Sequence, residues 1–244
     1  MCFNMVYIGK FDKRTFRKIV IGESKSNNDG FFIESNDLYI RTLNFQHFLK
    51  EIDKIEDDSN ELIHLHLRQR THGKVNEENV HGWKFANWTF SHNGYVRAYA
   101  LDSERSDSFM LFKAITNALD YDSADIDLLK TLIEESQFYG VAFLLNRIAK
   151  RLVIISLNKS AKIYKREDAV IISNDSIDDY ISKNDIKLFG ARLSKKDYAH
   201  GSVLNKIVYA DLNRNKVIKS VGLEAPKPQY YVYSRKLFDE SLWW

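Results

Sequence analysis

The segment Leu62-Ile63-His64-Leu65-His66-Leu67-Arg68-Gln69-Arg70-Thr71-His72-Gly73 decides how this chain is read. Between Leu62 and Arg68 the residue types alternate. Ile63, Leu65 and Leu67 face one way; His64, His66 and Arg68 face the other. Period two predicts a β-strand whose second face is polar. The strand runs into Arg68, and a loop follows to Gly73.

Working outward, Phe3–Ile8 and Lys18–Gly22 read as short strands, and Ser24–Gly30 as a loop rich in turn residues. Phe31–Ser35 and Leu38–Thr42 form a strand pair. Phe45, Phe48, Leu49, Ile52 and Ile55 have helical spacing and predict a helix over Phe45–Ile55. Downstream, Thr89–Leu101 reads as two strands around Asn93-Gly94, a pair typical of hairpin turns. Helices are predicted at Ser108–Leu119 and Ala124–Ser136. Strands follow at Tyr139–Asn146, Arg151–Ser156 and Ala169–Ser173, then a hairpin of Lys206–Asp211 and Lys216–Val221. The Pro228-Gln-Tyr-Tyr-Val-Tyr233 stretch reads as a terminal strand packed on a sheet. Strands, two central helices and more strands predict an α+β fold with helices packed on sheet. No repeat or low-complexity linker interrupts the 244 residues, so a single domain spanning 1–244 is expected.

Composition excludes several functions. The net charge of +3 with 28% charged residues is close to balance, and the basic residues are spread along the chain. A nucleic-acid footprint would gather them on one face, so no nucleic-acid role is expected. The single cysteine rules out an internal disulfide or a multi-cysteine zinc site and fits a reducing compartment. No stretch approaches the roughly 18–20 apolar residues of a membrane span, and the N-terminus lacks the basic and apolar regions of a signal peptide. A cytoplasmic protein with no membrane partner is expected.

The densest chemical signal lies between residues 64 and 107. Five of the seven histidines sit there, at His64, His66, His72, His81 and His92. His64 and His66 on one strand face could be metal ligands, but no carboxylate accompanies them at ligand spacing. Within the same stretch run His66-Leu-Arg-Gln-Arg-Thr-His-Gly73, Asn79-Val-His81, Ser91-His-Asn-Gly-Tyr95 and Ser106-Asp107. Cys2 stands near the start of the chain, and Asn28-Asp29-Gly30 lies in an early loop.

Taken in order, these segments resemble the core motifs of class II glutamine amidotransferases, which are N-terminal-nucleophile hydrolases. The resemblance covers residues 2–175 and leaves 176–244 as a divergent extension. It implies a four-layer αββα sandwich, no cofactor and no metal. It also implies hydrolysis of the side-chain amide of L-glutamine by Cys2, with Asn93 and Gly94 as the oxyanion hole. Arg68 would take the substrate carboxylate and Asp107 its ammonium, beside a loop of Thr71, His72 and Gly73.

The chemistry agrees with these residue types. A thiol attacks as thiolate, and its pKa is ordinarily about 8.5. Once Met1 is removed, the α-amine of Cys2, titrating near about 7.7–8.0, can take the thiol proton. Aminopeptidases that remove an initiator methionine accept a cysteine in second position. A side-chain amide on Asn93 and a backbone N–H on Gly94 are suitable donors to a tetrahedral oxyanion, and one such donor contributes about 3 kcal/mol. An arginine fork suits a carboxylate.

Four positions depart from the resemblance: Phe3 replaces a glycine beside the nucleophile, Gln69 and Arg70 alter the strand end, and Gly82 replaces a proline after His81. They leave open an amidase of the same fold acting on another γ-glutamyl or amide compound, or a catalytically idle scaffold or regulatory subunit. No Gly-rich phosphate loop follows residue 175, so a separate synthase that consumes the ammonia is the expected partner.

Overall fold

The computed structural model describes residues 2–100, 104–166, 168–180 and 202–224. The expected terminal strand after Pro228 lies outside them, as does Leu101.

The first sheet contains β1 (Phe3–Lys10), β2 (Phe31–Glu34), β3 (Tyr39–Thr42), β4 (Asn60–Leu67), β9 (Ala161–Arg166), β10 (Ala169–Ser173) and β11 (Ser202–Val203). The second contains β5 (Trp83–Phe85), β6 (Trp88–Val96), β7 (Phe138–Asn146), β8 (Arg151–Leu157), β12 (Lys206–Asp211) and β13 (Lys216–Gly222). Their orders are β11-β9-β10-β1-β4-β2-β3 and β13-β12-β8-β7-β6-β5. Neighbouring strands pair antiparallel throughout.

Among the described residues, four α-helices cover the outer faces. α1 (Lys13–Ser24) and α2 (Phe45–Ile52) bury Phe16, Ile19, Val20, Phe48 and Ile52 against Met5, Ile33, Ile63, Leu65 and Leu67 of the first sheet. α3 (Asp107–Ile115) and α4 (Ile126–Glu135) bury Leu111, Ile115, Leu129 and Ile133 against Trp88, Phe90, Leu144 and Ile155 of the second. Between the sheets lies a third cluster with Val6, Leu62, Val141, Phe143, Ile154 and Ile172. The layers are therefore helix, sheet, sheet, helix. Each large apolar side chain removed from water contributes about 1.5–3 kcal/mol.

Three sequence expectations are corrected. Lys18–Gly22 is helical, within α1. Its run of β-branched residues looks like a strand in five residues. Over twelve, Phe16, Ile19 and Val20 recur at helical spacing, and Asp12 caps the helix by accepting from the Thr15 N–H at 2.8 Å. Thr89–Val96 is part of one strand rather than two around a turn. Asn93 pairs with Val141 and Gly94 with Gly140 in mid-ladder, so the sheet overrides the local turn propensity. After β6 the chain makes a short 3-10 turn, Arg97–Tyr99. Finally, the helix expected over Ser108–Leu119 is α3, Asp107–Ile115, with a 3-10 turn at Thr116–Ala118; Ser106 caps it by accepting from the Phe109 N–H, which makes Asp107 its first residue.

The alternation of β4 places the site. Ile63, Leu65 and Leu67 face α1 and α2. His64 and His66 are also fully buried. The polar face of this strand meets the second sheet rather than water.

Candidate active site

Cys2 immediately precedes β1, on the side of that strand shared with Asn4 and Val6, which points between the sheets. Arg68 immediately follows β4, the neighbour of β1 with Phe3 opposite Leu67. The Cys2 Sγ lies 3.3 Å from the Gln69 carbonyl, to which the thiol donates, and 3.3 Å from the Gln69 N–H, which donates to sulfur. Burial pushes the thiol pKa up; the Gln69 N–H and the Arg68 charge pull against that rise.

A small cleft, about 250 Å³ counted out to its open mouth, is lined by Cys2, Arg68, Gln69, Thr71, His72, Gly94 and Asp107, together with His81, His92, Ser106 and Ser108. Six of the eight expected residues therefore converge, contributed by the chain start, the loop after β4, β6 and the head of α3. Asn93 and Gly73 do not line this cleft.

Arg68 is almost wholly buried. Its two terminal nitrogens donate to the carbonyls of Lys74 (3.1 Å) and His72 (2.9 Å), which ties the loop from Gln69 to Lys74 around it. Burial lowers its pKa, while Cys2, Asp29 and Asp107 oppose the shift. The Asn28-Asp29-Gly30 loop lies alongside: the Arg68 N–H donates to the Gly30 carbonyl, and the Arg70 N–H to Asp29 at 2.7 Å.

Asp107 accepts from the Val96 N–H at 2.7 Å and from its own neighbour, the Ser108 N–H, at 2.9 Å. Two carboxylate lone pairs are thereby committed to backbone, out of about four. Gly73 sits at φ +72°, and a Cβ there would meet the Ser106 nitrogen at 2.7 Å. Its glycine is required because the loop crosses the segment before α3 at this point. Asn79 fastens the crossing. Its amide nitrogen donates to Lys74 O (3.0 Å) and Glu104 O (2.7 Å), and its oxygen accepts from the Ser106 N–H (2.9 Å).

Asn93 alternates with Ser91 and Thr89, whose hydroxyls reach His64 across the inter-sheet space. Asn93 is 1% exposed, and its side-chain nitrogen has no hydrogen-bond partner among the described residues. An orphaned buried donor costs about 1–3 kcal/mol, so a native structure that keeps one calls for an explanation. Gly94 packs against the neighbouring strand. A Cβ there would lie 1.9 Å from Tyr139 O and 2.7 Å from the His92 ring.

The buried histidines hold the scaffold. His92 bridges Ser108 Oγ (2.9 Å) and the Tyr139 carbonyl (3.2 Å). Because a carbonyl only accepts, Nε2 carries the proton and Nδ1 accepts from Ser108. The backbone N–H of His92 donates to His81 Nδ1 at 3.1 Å, and His81 stacks on His66 at 3.8 Å. Burial holds all four inner rings neutral: it lowers His64 to about 3, His66 and His81 well below the ordinary value, and His92 in the same direction. Among the described residues no group of three His, Cys, Asp or Glu side chains is placed to hold a metal ion. No described helix is long and apolar enough to cross a membrane.

Of the departures noted in the sequence, Phe3 points away from the cleft, into the cluster under α1 and α2. Gly82 sits at φ +91° with the Phe32 ring against its Cα, a backbone that proline cannot adopt. Sequence reasoning missed Asn4, Ser91, Ser108 and Asn174. Asn4 and Asn174 meet across 170 positions of sequence, Ser91 and Ser108 flank the expected residues Asn93 and Asp107, and none of the four has a spacing that announces its partner.

No protein-family model matches the chain, and no curated protein matches its sequence. Among solved structures, it is similar to the glutamine phosphoribosylpyrophosphate amidotransferase of B. subtilis, complexed with ADP and GMP. That likeness has a TM-score of 0.59 at 10% identity and covers 92% of this chain and 49% of the other. The chain thus spans about half the length of that structure. A predicted glutamine amidotransferase from Pseudomonas aeruginosa aligns over 72% of this chain and 81% of its own at 16% identity, with a TM-score of 0.38, too low to establish a common fold. What the first likeness establishes is the fold: two antiparallel sheets face to face with helices outside, shared with a region of the B. subtilis amidotransferase.

Proposed function

We propose that this chain is a glutamine-hydrolysing domain of the N-terminal-nucleophile type, one domain throughout, that supplies ammonia to a separate acceptor protein. The observation that carries the reading is the single cleft lined by Cys2, Arg68, Thr71, His72, Gly94 and Asp107. The fold shared with an amidotransferase and the unpartnered Asn93 amide nitrogen support it.

With Met1 removed, the Cys2 α-amine takes the thiol proton and the thiolate attacks the glutamine Cδ. The oxyanion is met by Asn93 Nδ2 and the Gly94 N–H. The C–N bond breaks as the α-ammonium returns its proton to the leaving nitrogen, and ammonia departs. Water, deprotonated by the same amine, then hydrolyses the γ-glutamyl thioester to glutamate. The donor positions still open on Arg68 and Asp107's remaining lone pairs face the substrate carboxylate and ammonium. Gly73 contributes by shaping the loop.

The test is glutamate release from L-glutamine by the Met1-free protein beside Cys2→Ala. Release from the parent and none from the variant is expected; equal rates would sink the reading.

A catalytically idle scaffold is the second reading. It is favoured by the thiol held against the Gln69 backbone and by the backbone bonds already made by Arg68 and Asp107. A diazoketone analogue of glutamine separates the two: it labels Cys2 in a live pocket and leaves an idle one unmodified.

A further inference from the structure

The hydrogen-bond ladders of β1 stop short of the proposed nucleophile. The pairing with β4 ends at Phe3–Leu67 and that with β10 at Met5–Ser173. Cys2 therefore lies outside both, and a terminal residue held by one peptide bond is prone to fray.

Asn174, the residue after β10, takes over at that point. Its amide nitrogen donates to the Cys2 carbonyl at 3.2 Å, and its side-chain oxygen accepts from the Asn4 N–H. Its own N–H donates to the Asn4 carbonyl at 3.1 Å. The amide orientation is determined by its partners: an N–H can only donate and a carbonyl only accept, so oxygen faces Asn4 and nitrogen faces Cys2. Asn174 is 2% exposed, so water does not compete for these bonds. The two clamped peptide groups are those joining Cys2 to Phe3 and Phe3 to Asn4. Asn4 is braced in turn, because its side chain accepts from Ser91 Oγ of the facing sheet at 2.5 Å. The direction of the Cys2 Cα, and with it both Sγ and the α-amine, is thereby set relative to β6, which carries Asn93 and Gly94.

We propose that Asn174 is a positioning residue for the Cys2 nucleophile, clamping the Cys2 carbonyl and the Asn4 N–H so that thiol and α-amine stay aligned with the oxyanion donors. The proposal rests on the glutamine-hydrolysis reading for its kinetic consequence, and on geometry alone for its effect on the thiol.

The experiment compares Met1-free parent, Asn174→Ala and Asn174→Asp in two assays. In glutamate release, Asn174→Ala lowers kcat about 10- to 100-fold, the scale on which a misplacement of about 1 Å acts, and leaves KM within about threefold. In the second assay, the pH dependence of iodoacetamide alkylation reads Cys2 alone, since it is the one cysteine in the chain. Asn174→Ala moves its midpoint towards that of an unassisted thiol. Should Asn174→Ala fail to fold, Asn174→Asp serves for kcat and KM; it keeps the acceptor for Asn4 and loses the donor to Cys2. A folded variant with parental kcat and, for Asn174→Ala, a parental alkylation profile overturns the proposal. A parent that releases no glutamate while alkylation still shifts in Asn174→Ala sinks glutamine hydrolysis and supports the clamp.

Discussion

The sulfur of Cys2 lies 3.3 Å from both the N–H and the carbonyl oxygen of Gln69, so one backbone unit both donates to the thiol and accepts from it. Accepting favours the protonated thiol and adds to the upward push of burial; the donated N–H and Arg68 oppose it. A chain that keeps Met1 is expected to alkylate at pH 7.5 more slowly than a free cysteine of pKa about 8.5. Removing Met1 places an amine beside the thiol and is expected to raise the rate several-fold. Intact-mass quantification of iodoacetamide labelling, with and without aminopeptidase treatment, checks both.

Asn93 and Asn79 are buried asparagines with opposite expectations. Asn93→Ala removes an amide nitrogen that has no partner among the described residues. It is expected to lower kcat about 10²- to 10³-fold with little change in KM or melting temperature. Asn79→Ala leaves the Ser106 N–H without its acceptor and takes one donor each from the carbonyls of Lys74 and Glu104. At about 1–3 kcal/mol for each buried group left unpaired, melting should fall clearly. Steady-state kinetics and thermal melting on the two variants distinguish them.

Gly94→Ala tests the backbone approach at the second of the proposed oxyanion donors. The added methyl meets Tyr139 O at 1.9 Å, and backbone cannot swing aside as a side chain does. The two strands must part locally, at a cost of about 1–3 kcal/mol or more by analogy with overpacked cores. Chemical denaturation of Gly94→Ala beside Tyr95→Ala, an exposed neighbour, shows whether the loss is specific.

Arg68→Lys replaces a planar fork by a point charge. It is expected to raise the KM for glutamine about tenfold, because the proposed bidentate contact with the substrate carboxylate would be lost. Thermal stability should fall as well, since the carbonyls of His72 and Lys74 each lose the guanidinium N–H that ties the loop to this position. Unchanged KM with reduced stability would remove Arg68 from the substrate and leave it a brace for the loop.

The inner histidines make the fold sensitive to acid. Burial lowers their pKa values, to about 3 for His64, while unfolded histidine titrates near about 6.5. As pH falls from about 6.5, the unfolded chain takes up protons that the fold refuses, so stability falls with pH and returns above that value. Each such histidine contributes a slope of up to about 1.4 kcal/mol per pH unit. Urea midpoints at pH 7.5 and 5.0, a window above most carboxylate titrations, should differ markedly. Equal midpoints would mean that the rings are charged inside the fold.

Local pattern alone determined the strands with long alternation or a continuous apolar run, such as β4 and β7, and the helices with a single buried stripe, such as α2 and α4. It also marked the stretch from His64 to Asp107 as chemical, because five of the seven histidines cluster there among ordered polar motifs. Only the tertiary structure decided what those partners are. Lys18–Gly22 became helix because a sheet face was there to receive Phe16, Ile19 and Val20. Asn93-Gly94 stayed in a strand because Val141 and Gly140 completed its ladder. Asn174 met Cys2 across 172 positions of sequence because β10 pairs with β1. Period and propensity act within a few residues, whereas the pairing of distant strands, which brings the cleft together, is settled by how the two sheets bury their faces.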